Sequence, residues 1–434
     1  MTNLTSCQEQ AASKFAGWLI NPDEREFVLT GPAGTGKTFL VQQLIKEARN
    51  IHDFHALVDE EWAKYHKSLH IDFCATTHKA ASVLSESLNT EVHTINAYTG
   101  IVPRYSKKTR DMRLQVPKGY LNTRKNTYHT HLLIVDESSM IAKEFYTKFF
   151  SKWLLHSPDT KVLWIGDKHQ LPPVKEKMCV IFEDDIPQAE LKQVVRQSQS
   201  SQLSQVVQTL RTGVEEPEKL LGDMPDGSDG SVVFHKDLKS FLAEVENTWP
   251  DYDSDPDAKI LAWTNARVGE FASYLRKFWG APEHFEAGET VWVNSAILDS
   301  SFKIKCMGSQ PVKILDSEIK TEEDTLGRRY LVMYDRFGEA HTDWFFMPDS
   351  QDDKKATIAR LYQEKQYDMA SKVKFTWADF RQNQSMTVHK SQGSTYEKVF
   401  VDASNLRRSS DLRKLQYVAA SRASKELHIL GEFQ

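Results

Sequence analysis

Cysteine is scarce and scattered: Cys7, Cys74, Cys179 and Cys306 are the only four in 434 residues, and no two of them form a C-x-x-C pair. Such spacing writes neither a zinc ribbon nor a disulfide framework, and reduced thiols are expected. Long apolar runs are missing too. No stretch reaches the roughly 18 uninterrupted apolar residues of a membrane span, and Met1 to Ile20 has no basic segment leading into an apolar one. The pattern excludes a secretory signal and a membrane partner, so a cytoplasmic protein is expected. An excess of positive charge is also absent. Lysine and arginine number 55 against 60 acidic residues, a formal net charge of −5, which rules out a surface that is basic all round.

Any polyanion site must therefore be local, and one tract stands out. Arg104, Lys107, Lys108, Arg110, Arg113, Lys118, Arg124 and Lys125 have a single acid, Asp111, among them. Two readings stay open for it, a solvated basic loop or a contact surface for phosphates. For the rest, 40% hydrophobic and 26% charged residues make an ordinary globular composition. At roughly 150 residues per domain the length suggests about three units.

Along the chain, Phe27 to Thr30 forms a short buried strand, followed by a glycine turn and a helix from Lys37 to about Arg49 with Leu40, Val41, Leu44, Ile45 and Ala48 on its apolar face. Strand-like runs at Phe73–Thr76, Leu132–Val135 and Val162–Ile165 alternate with helical stretches, as a parallel α/β sheet requires. The first domain is expected to end near residue 190. Surface loops are expected over 215–230 and 250–257. A second set of strands, at Ile260–Trp263, Lys398–Val401 and Leu427–Leu430, is interrupted by short alternating runs such as Thr290–Val293 and Arg329–Tyr334. Those runs suggest a small inserted barrel.

The chemistry concentrates in a few segments. Gly31, Pro32, Ala33, Gly34, Thr35, Gly36, Lys37 and Thr38 form a P-loop between a strand and a helix. Glycines let backbone N–H groups face phosphate oxygens, Lys37 is placed for the β- and γ-phosphates of a nucleotide, and Thr38 for Mg²⁺. An acidic pair then follows the strand Leu132–Val135. Asp136 is expected to hold Mg²⁺ and Glu137 to polarise an attacking water; outside this context the same pair would cap a helix. Hydrolysis needs an added positive charge on the γ-phosphate, for which Arg196 and Arg422 are candidates, with surface arginines as the alternative.

Taken in order, these segments resemble those of superfamily 1 DNA helicases of the RecD-like branch, including the helicases of T4-type bacteriophages, over nearly the whole chain. The resemblance implies that Gln8 reads adenine and that Thr77, His78 and Lys79 contact DNA. It makes Gln170 a γ-phosphate sensor and Arg196 and Arg422 cleft arginines. Thr264 and Asn265 become a DNA-contacting strand end, while His389, Lys390 and Gly393 couple DNA to nucleotide. Two departures stand out, Thr76 where the pattern has proline and Asn96 where it has histidine. The length of 50–70 has no counterpart in it either. Trp377 is implied as a base-stacking platform, against the alternative that Trp377 and Phe380 share an apolar helix face.

The implied fold is α/β, with two RecA-like domains. The first spans 1–190 and carries a β-hairpin pin at 101–130; the second spans 191–285 and 381–434; an SH3-like barrel occupies 286–380. The implied activity is that of an ATP- and Mg²⁺-dependent DNA helicase, a monomer moving 5′ to 3′ in replication or recombination, in the host cytoplasm if of phage origin. Its partners would be single-stranded and tailed duplex DNA, with a single-strand-binding protein or replication proteins as further candidates. A protein that clamps DNA under ATP control without unwinding is the main alternative, and it would be expected to have lost one of Glu137, Gln170, Arg196 and Arg422. A P-loop kinase of small molecules would need no second α/β domain.

Overall fold

The computed structural model describes residues 4–433 apart from 33, 61–67, 107, 116–128, 174–175, 184, 194–200, 219–223, 225–227, 253, 255 and 337–338. Ala33, Arg196, Lys107, Lys118, Arg124 and Lys125 thus lie outside the described residues. The chain divides into two compact units, the first made of Met1–Ile101, Val116–His235 and Val388–Gln434, the second of Val102–Gln115 and Lys236–Thr387.

In the first unit, buried strands gather into a six-stranded parallel sheet in the order His93–Thr94, Ser68–Ala75, His129–Asp136, Thr160–Gly166, Glu26–Thr30, Gln188–Glu190. Phe73, Ile134, Leu163 and Phe27 stand in one row across it. These strands lack polar alternation because both faces of the sheet are covered, as parallel sheets require. The helices Ser6–Ile20 and Lys37–Val58 supply Phe15, Trp18, Leu40, Val41, Leu44 and Ala48 to the core on one side. Thr5 starts the first of them with a capping box closed by Gln8.

The P-loop helix runs on past Arg49 to Val58, so part of the connection at 50–70 is helical. Its last turns leave Phe54, Leu57 and Val58 exposed. A second parallel group in this unit consists of Tyr396–Asp402, Ala423–Leu430 and Val232–His235. The helices Gln202–Glu215 and Leu412–Ala420 pack against each other beside it.

In the second unit, Ala258–Ala262 pairs in parallel with Ser385–Thr387. A five-stranded antiparallel sheet follows the order Glu339–Pro348, Thr325–Arg336, Pro311–Glu322, Thr290–Val293, Phe380–Gln382. Its inward residues, among them Val291, Val293, Ile314, Tyr330, Val332 and Phe345, form a separate core. The alternation in Thr290–Val293 arises because only one face of that sheet is buried.

The described part of the basic tract is a hairpin, Val102–Ser106 against Asp111–Gln115. It packs on the helix Tyr367–Thr376 in the same unit: the Tyr105 hydroxyl donates to Ser371 Oγ at 3.0 Å, Lys374 pairs with Asp111 at 3.0 Å, and the Arg110 guanidinium lies 3.7 Å from the centre of the Tyr367 ring. Among the described residues, no helix is long and apolar enough to cross a membrane.

Candidate nucleotide site

The parallel sheet of the first unit brings the ends of adjacent strands together, the position where α/β folds bind ligands. Thr30 ends one strand and is level with Gly166 of its neighbour, while Asp136 ends the next, level with Ala75. The P-loop, the acidic pair and the Asp167–Gln170 turn each leave the sheet at this edge.

The P-loop closes on itself. Gly34 and Gly36 hold φ values of 81° and 75°, open to glycine without a steric penalty. At Gly31 a Cβ would lie 2.7 Å from the Leu191 carbonyl oxygen, so no side chain fits. Lys37 Nζ donates to the Gly31 and Pro32 carbonyls at 2.7 and 2.9 Å, and Thr35 Oγ1 donates to Pro32 at 2.9 Å. Gln8, which is buried, spends both of its polar atoms here: Oε1 accepts from Thr5 N–H at 3.0 Å and Nε2 donates to the Thr35 carbonyl at 3.1 Å. In this arrangement its amide ties the first helix to the loop, with one N–H and one acceptor lone pair beyond these two bonds.

Thr38 and Asp136 line one small cavity of about 10 Å³ with Val41, Phe73, Leu84, Ile134 and Ile165, which brings the two expected metal-holding residues together. Glu137 adopts a left-handed backbone with φ of 54°, uncommon for a side chain of this size. Two bonds hold it there. Its N–H donates to Asp136 Oδ1 at 2.8 Å, and its carbonyl accepts from Thr76 Oγ1 at 3.2 Å. A proline at position 76 would have no hydroxyl for that second bond, so the departure noted in the sequence has a local structural use.

Burial raises both carboxyl groups. For Asp136 the Glu137 N–H and the Lys37 charge act against the rise; for Glu137 the Asp136 charge adds to it, while Arg422 and then Lys37 oppose it. Lys37 and Arg422 therefore act on the same carboxylate from two ends of the chain.

Gln170 is buried, and its Oε1 has no hydrogen-bond partner. Such an atom costs stability unless a ligand or water satisfies it. The 388–394 segment closes the site from the other side. Gln392 Nε2 donates to the Leu171 carbonyl at 3.0 Å. Gly393, with φ of 72°, lies where a Cβ would be 3.2 Å from Ala80 Cβ and 3.7 Å from Glu137 Cγ. Arg422 is 4% exposed, and its guanidinium donates to the Val418 and Ser394 carbonyls, each at 3.2 Å, and to Ser421 Oγ at 3.0 Å.

Three residues of this assembly, Asp167, Gln392 and Tyr417, are not singled out by the sequence, although each lies within five residues of one that is, Gln170, Gly393 and Arg422. The Tyr417 hydroxyl donates to Asp167 Oδ2 at 2.6 Å, across 250 residues of chain.

The residues expected at DNA divide between the units. In the first, Thr77 caps the helix His78–Leu88 by accepting from Ala80 N–H, and Lys79 donates to the Tyr396 hydroxyl at 2.8 Å. Burial lowers His78, and burial also lowers His389 although Asp411 opposes it. His389 and Lys390 lie on the short helix Val388–Ser391.

In the second unit, Thr264 caps the helix Asn265–Phe278, and Asn265 Oδ1 accepts from Arg381 at 2.9 Å. Trp377 sits in an apolar cluster with Phe346, Leu361, Ala370 and Val373. It is 5% exposed, with its ring centroid 4.7 Å from that of Phe346 and the planes at 60°, and it also lines a cavity of about 300 Å³ with Trp344, Lys372 and Thr376. Trp377 and Phe380 do not share a helix: the helix ends at Thr376, and Phe380 begins a strand.

Comparison with known proteins agrees with this layout. The AAA domain family matches residues 3–224, and the UvrD-like helicase C-terminal domain matches 385–430. Protein R530 of Acanthamoeba polyphaga mimivirus is 23% identical over 98% of this chain and 99% of its own length. The ATP-dependent DNA helicase Dda of Enterobacteria phage T4 is 25% identical over 68% of this chain and 61% of its own length. Among solved structures, Pif1 helicase from a study of unwinding at forked duplex DNA superposes with a TM-score of 0.52 at 15% identity, over 100% of this chain and 93% of that one.

Proposed function

The chain belongs to the AAA domain family whose match covers residues 3–224, as a superfamily 1B helicase related to Dda, and on that premise we propose that it hydrolyses ATP to move 5′ to 3′ along single-stranded DNA and to unwind tailed duplexes. The observation that carries the proposal is the convergence on Glu137. Asp136 Oδ1 and Thr76 Oγ1 hold its backbone at 2.8 and 3.2 Å, a Cβ at Gly393 would lie 3.7 Å from its Cγ, and the Lys37 and Arg422 charges oppose the burial that raises its carboxyl.

In this reading Lys37 turns from the loop carbonyls to the β- and γ-phosphates, Glu137 orients the attacking water, and the free Oε1 of Gln170 meets the γ-phosphate or that water. Arg422 and Arg196 offset charge that builds up as the phosphoryl group transfers. Thr38 and Asp136 suit Mg²⁺ by their oxygen donors, and the bound ion would supply charge neutralisation at the phosphates. Gln8 would contact adenine through the amide N–H and acceptor lone pair that its bonds to Thr5 and Thr35 leave.

In this reading 1–190 is one RecA-like domain and 191–285 with 381–434 the other, with an SH3-like insertion at 286–380 and the hairpin as pin; this division differs from the two compact units, which group Val388–Gln434 with the first and the hairpin with the second. Two grips on the strand, one per motor domain, must change relative affinity with nucleotide state, since a ligand that binds both states equally shifts nothing. Thr77, His78, Lys79, Thr264, Asn265, His389 and Lys390 are the proposed strand contacts.

Paired substitutions test this function. Glu137→Gln should bind ATP and lose hydrolysis, while Lys37→Ala should lose DNA-stimulated hydrolysis altogether. Ordinary turnover by folded Lys37→Ala protein would overturn the assignment.

A further inference from the structure

The strongest unassigned feature is the buried bond between Tyr417 and Asp167. Tyr417 has no exposed surface and Asp167 has 1%. A carboxylate so far from water is tolerated only when its oxygens are satisfied, and here they are divided. Oδ1 accepts from His169 N–H at 3.0 Å, and Oδ2 accepts from Tyr417 at 2.6 Å. The carbonyl of Asp167 also accepts from Gln170 N–H at 3.1 Å. One residue thus organises the turn that carries Gln170 and binds the helix Leu412–Ala420.

That helix leads directly into Arg422, whose N–H donates to the Ala419 carbonyl. Burial and the Asp167 charge both raise Tyr417 well above the ordinary tyrosine value, in keeping with a phenol that donates to Asp167.

Building on the proposed ATPase function, we propose that Tyr417 is a positioning residue: through Asp167 it locks the Gln170 turn and the Arg422 helix into one piece, so that both groups reach the γ-phosphate together or not at all. Neither Tyr417 nor Asp167 touches the nucleotide. Their effect falls on the hydrolytic step, because the Tyr417–Asp167 bond fixes the Gln170 turn and the Arg422 helix, whereas the P-loop meets this turn through the backbone of Gly166 and Lys168 and keeps those bonds in Tyr417→Phe.

The test uses the full chain with saturating single-stranded DNA. Tyr417→Phe keeps the ring and deletes the donor. Its kcat should fall roughly ten- to hundredfold, the range expected for losing a hydrogen bond to a charged group, while KM for ATP stays within about twofold, as for an interaction made only in the transition state. Combined with Gln170→Ala, it should add little further loss, since coupled residues are non-additive. Asp167→Asn attacks the bond from the other side, because His169 N–H and Tyr417 donate to different carboxylate oxygens and the NH₂ that replaces one of them cannot accept. It should give the same split between kcat and KM, and it serves if Tyr417→Phe fails to fold.

Full kcat in a folded variant, a loss additive with Gln170→Ala, or a parallel rise in KM and fall in thermal stability would each overturn the positioning role. Failure of the underlying function looks different: the unsubstituted protein would then show no DNA-stimulated hydrolysis.

Discussion

Tyr105 lies flat on Phe302, with ring centroids 3.8 Å apart and planes 9° from parallel. The stack is held from both sides. Phe302 adopts a left-handed backbone with φ of 60°, which is rare for a bulky residue, and the Tyr105 hydroxyl is fixed to Ser371. With the Lys374–Asp111 pair, these contacts give the hairpin a rigid seat.

If the hairpin separates strands, its seat should matter to unwinding more than to travel. Phe302→Ala should leave DNA-stimulated ATPase largely intact while unwinding of a tailed duplex falls severalfold, and replacing Ser106–Gln115 by a tight turn should do the same more severely. If the tract is only an electrostatic landing pad, DNA affinity and ATPase stimulation will fall in parallel, and saturating DNA at low salt will restore unwinding.

Trp377 should behave as a core residue. Trp377→Ala removes a ring from the Phe346 cluster and should cost about 3–5 kcal/mol of stability, measured by denaturant unfolding. Single-strand affinity measured below the unfolding transition should be unchanged. A loss of affinity worth roughly 1–3 kcal/mol with normal stability would instead restore the stacking role.

Arg422 is bonded to the Val418 and Ser394 carbonyls, so its charge and its geometry can be separated. Arg422→Lys keeps the charge but not the fork of donors, and Arg422→Ala removes both. Both should lower kcat far more than ATP affinity, with alanine the more severe. Equal rates in the unsubstituted and Arg422→Ala proteins would return it to a purely structural role.

What the sequence disclosed depended on how local the signal was. The rows through Phe73, Ile134, Leu163 and Phe27 could be anticipated because strands buried on both faces are continuous apolar runs, and Thr290–Val293 because its alternation marks one buried face. Lys37, Asp136 and Glu137 were legible because the chemistry fixes their spacing to a strand end. Long-range pairings were not. The bond from Tyr417 to Asp167 spans 250 residues, and neither residue type announces a partner.

Gln8 shows a second limit. The resemblance marks it for adenine, and the capping box that occupies its Oε1 is a local pattern too, but the bond from its Nε2 to Thr35 emerges only when the first helix docks on the loop. Trp377 and Phe380 show a third. A spacing of three suits a helix face until the chain turns between them, as it does after Thr376.

The most direct test of the central claim is strand separation on two duplexes that differ only in carrying a 5′ or a 3′ single-stranded tail, followed with ATP and Mg²⁺ for the unsubstituted protein and for Lys37→Ala. ATP-dependent separation of the 5′-tailed duplex, little of the 3′-tailed one and none of either by Lys37→Ala is the predicted result. Failure to separate either duplex despite DNA-stimulated ATP hydrolysis would contradict the helicase assignment and favour an ATP-gated clamp.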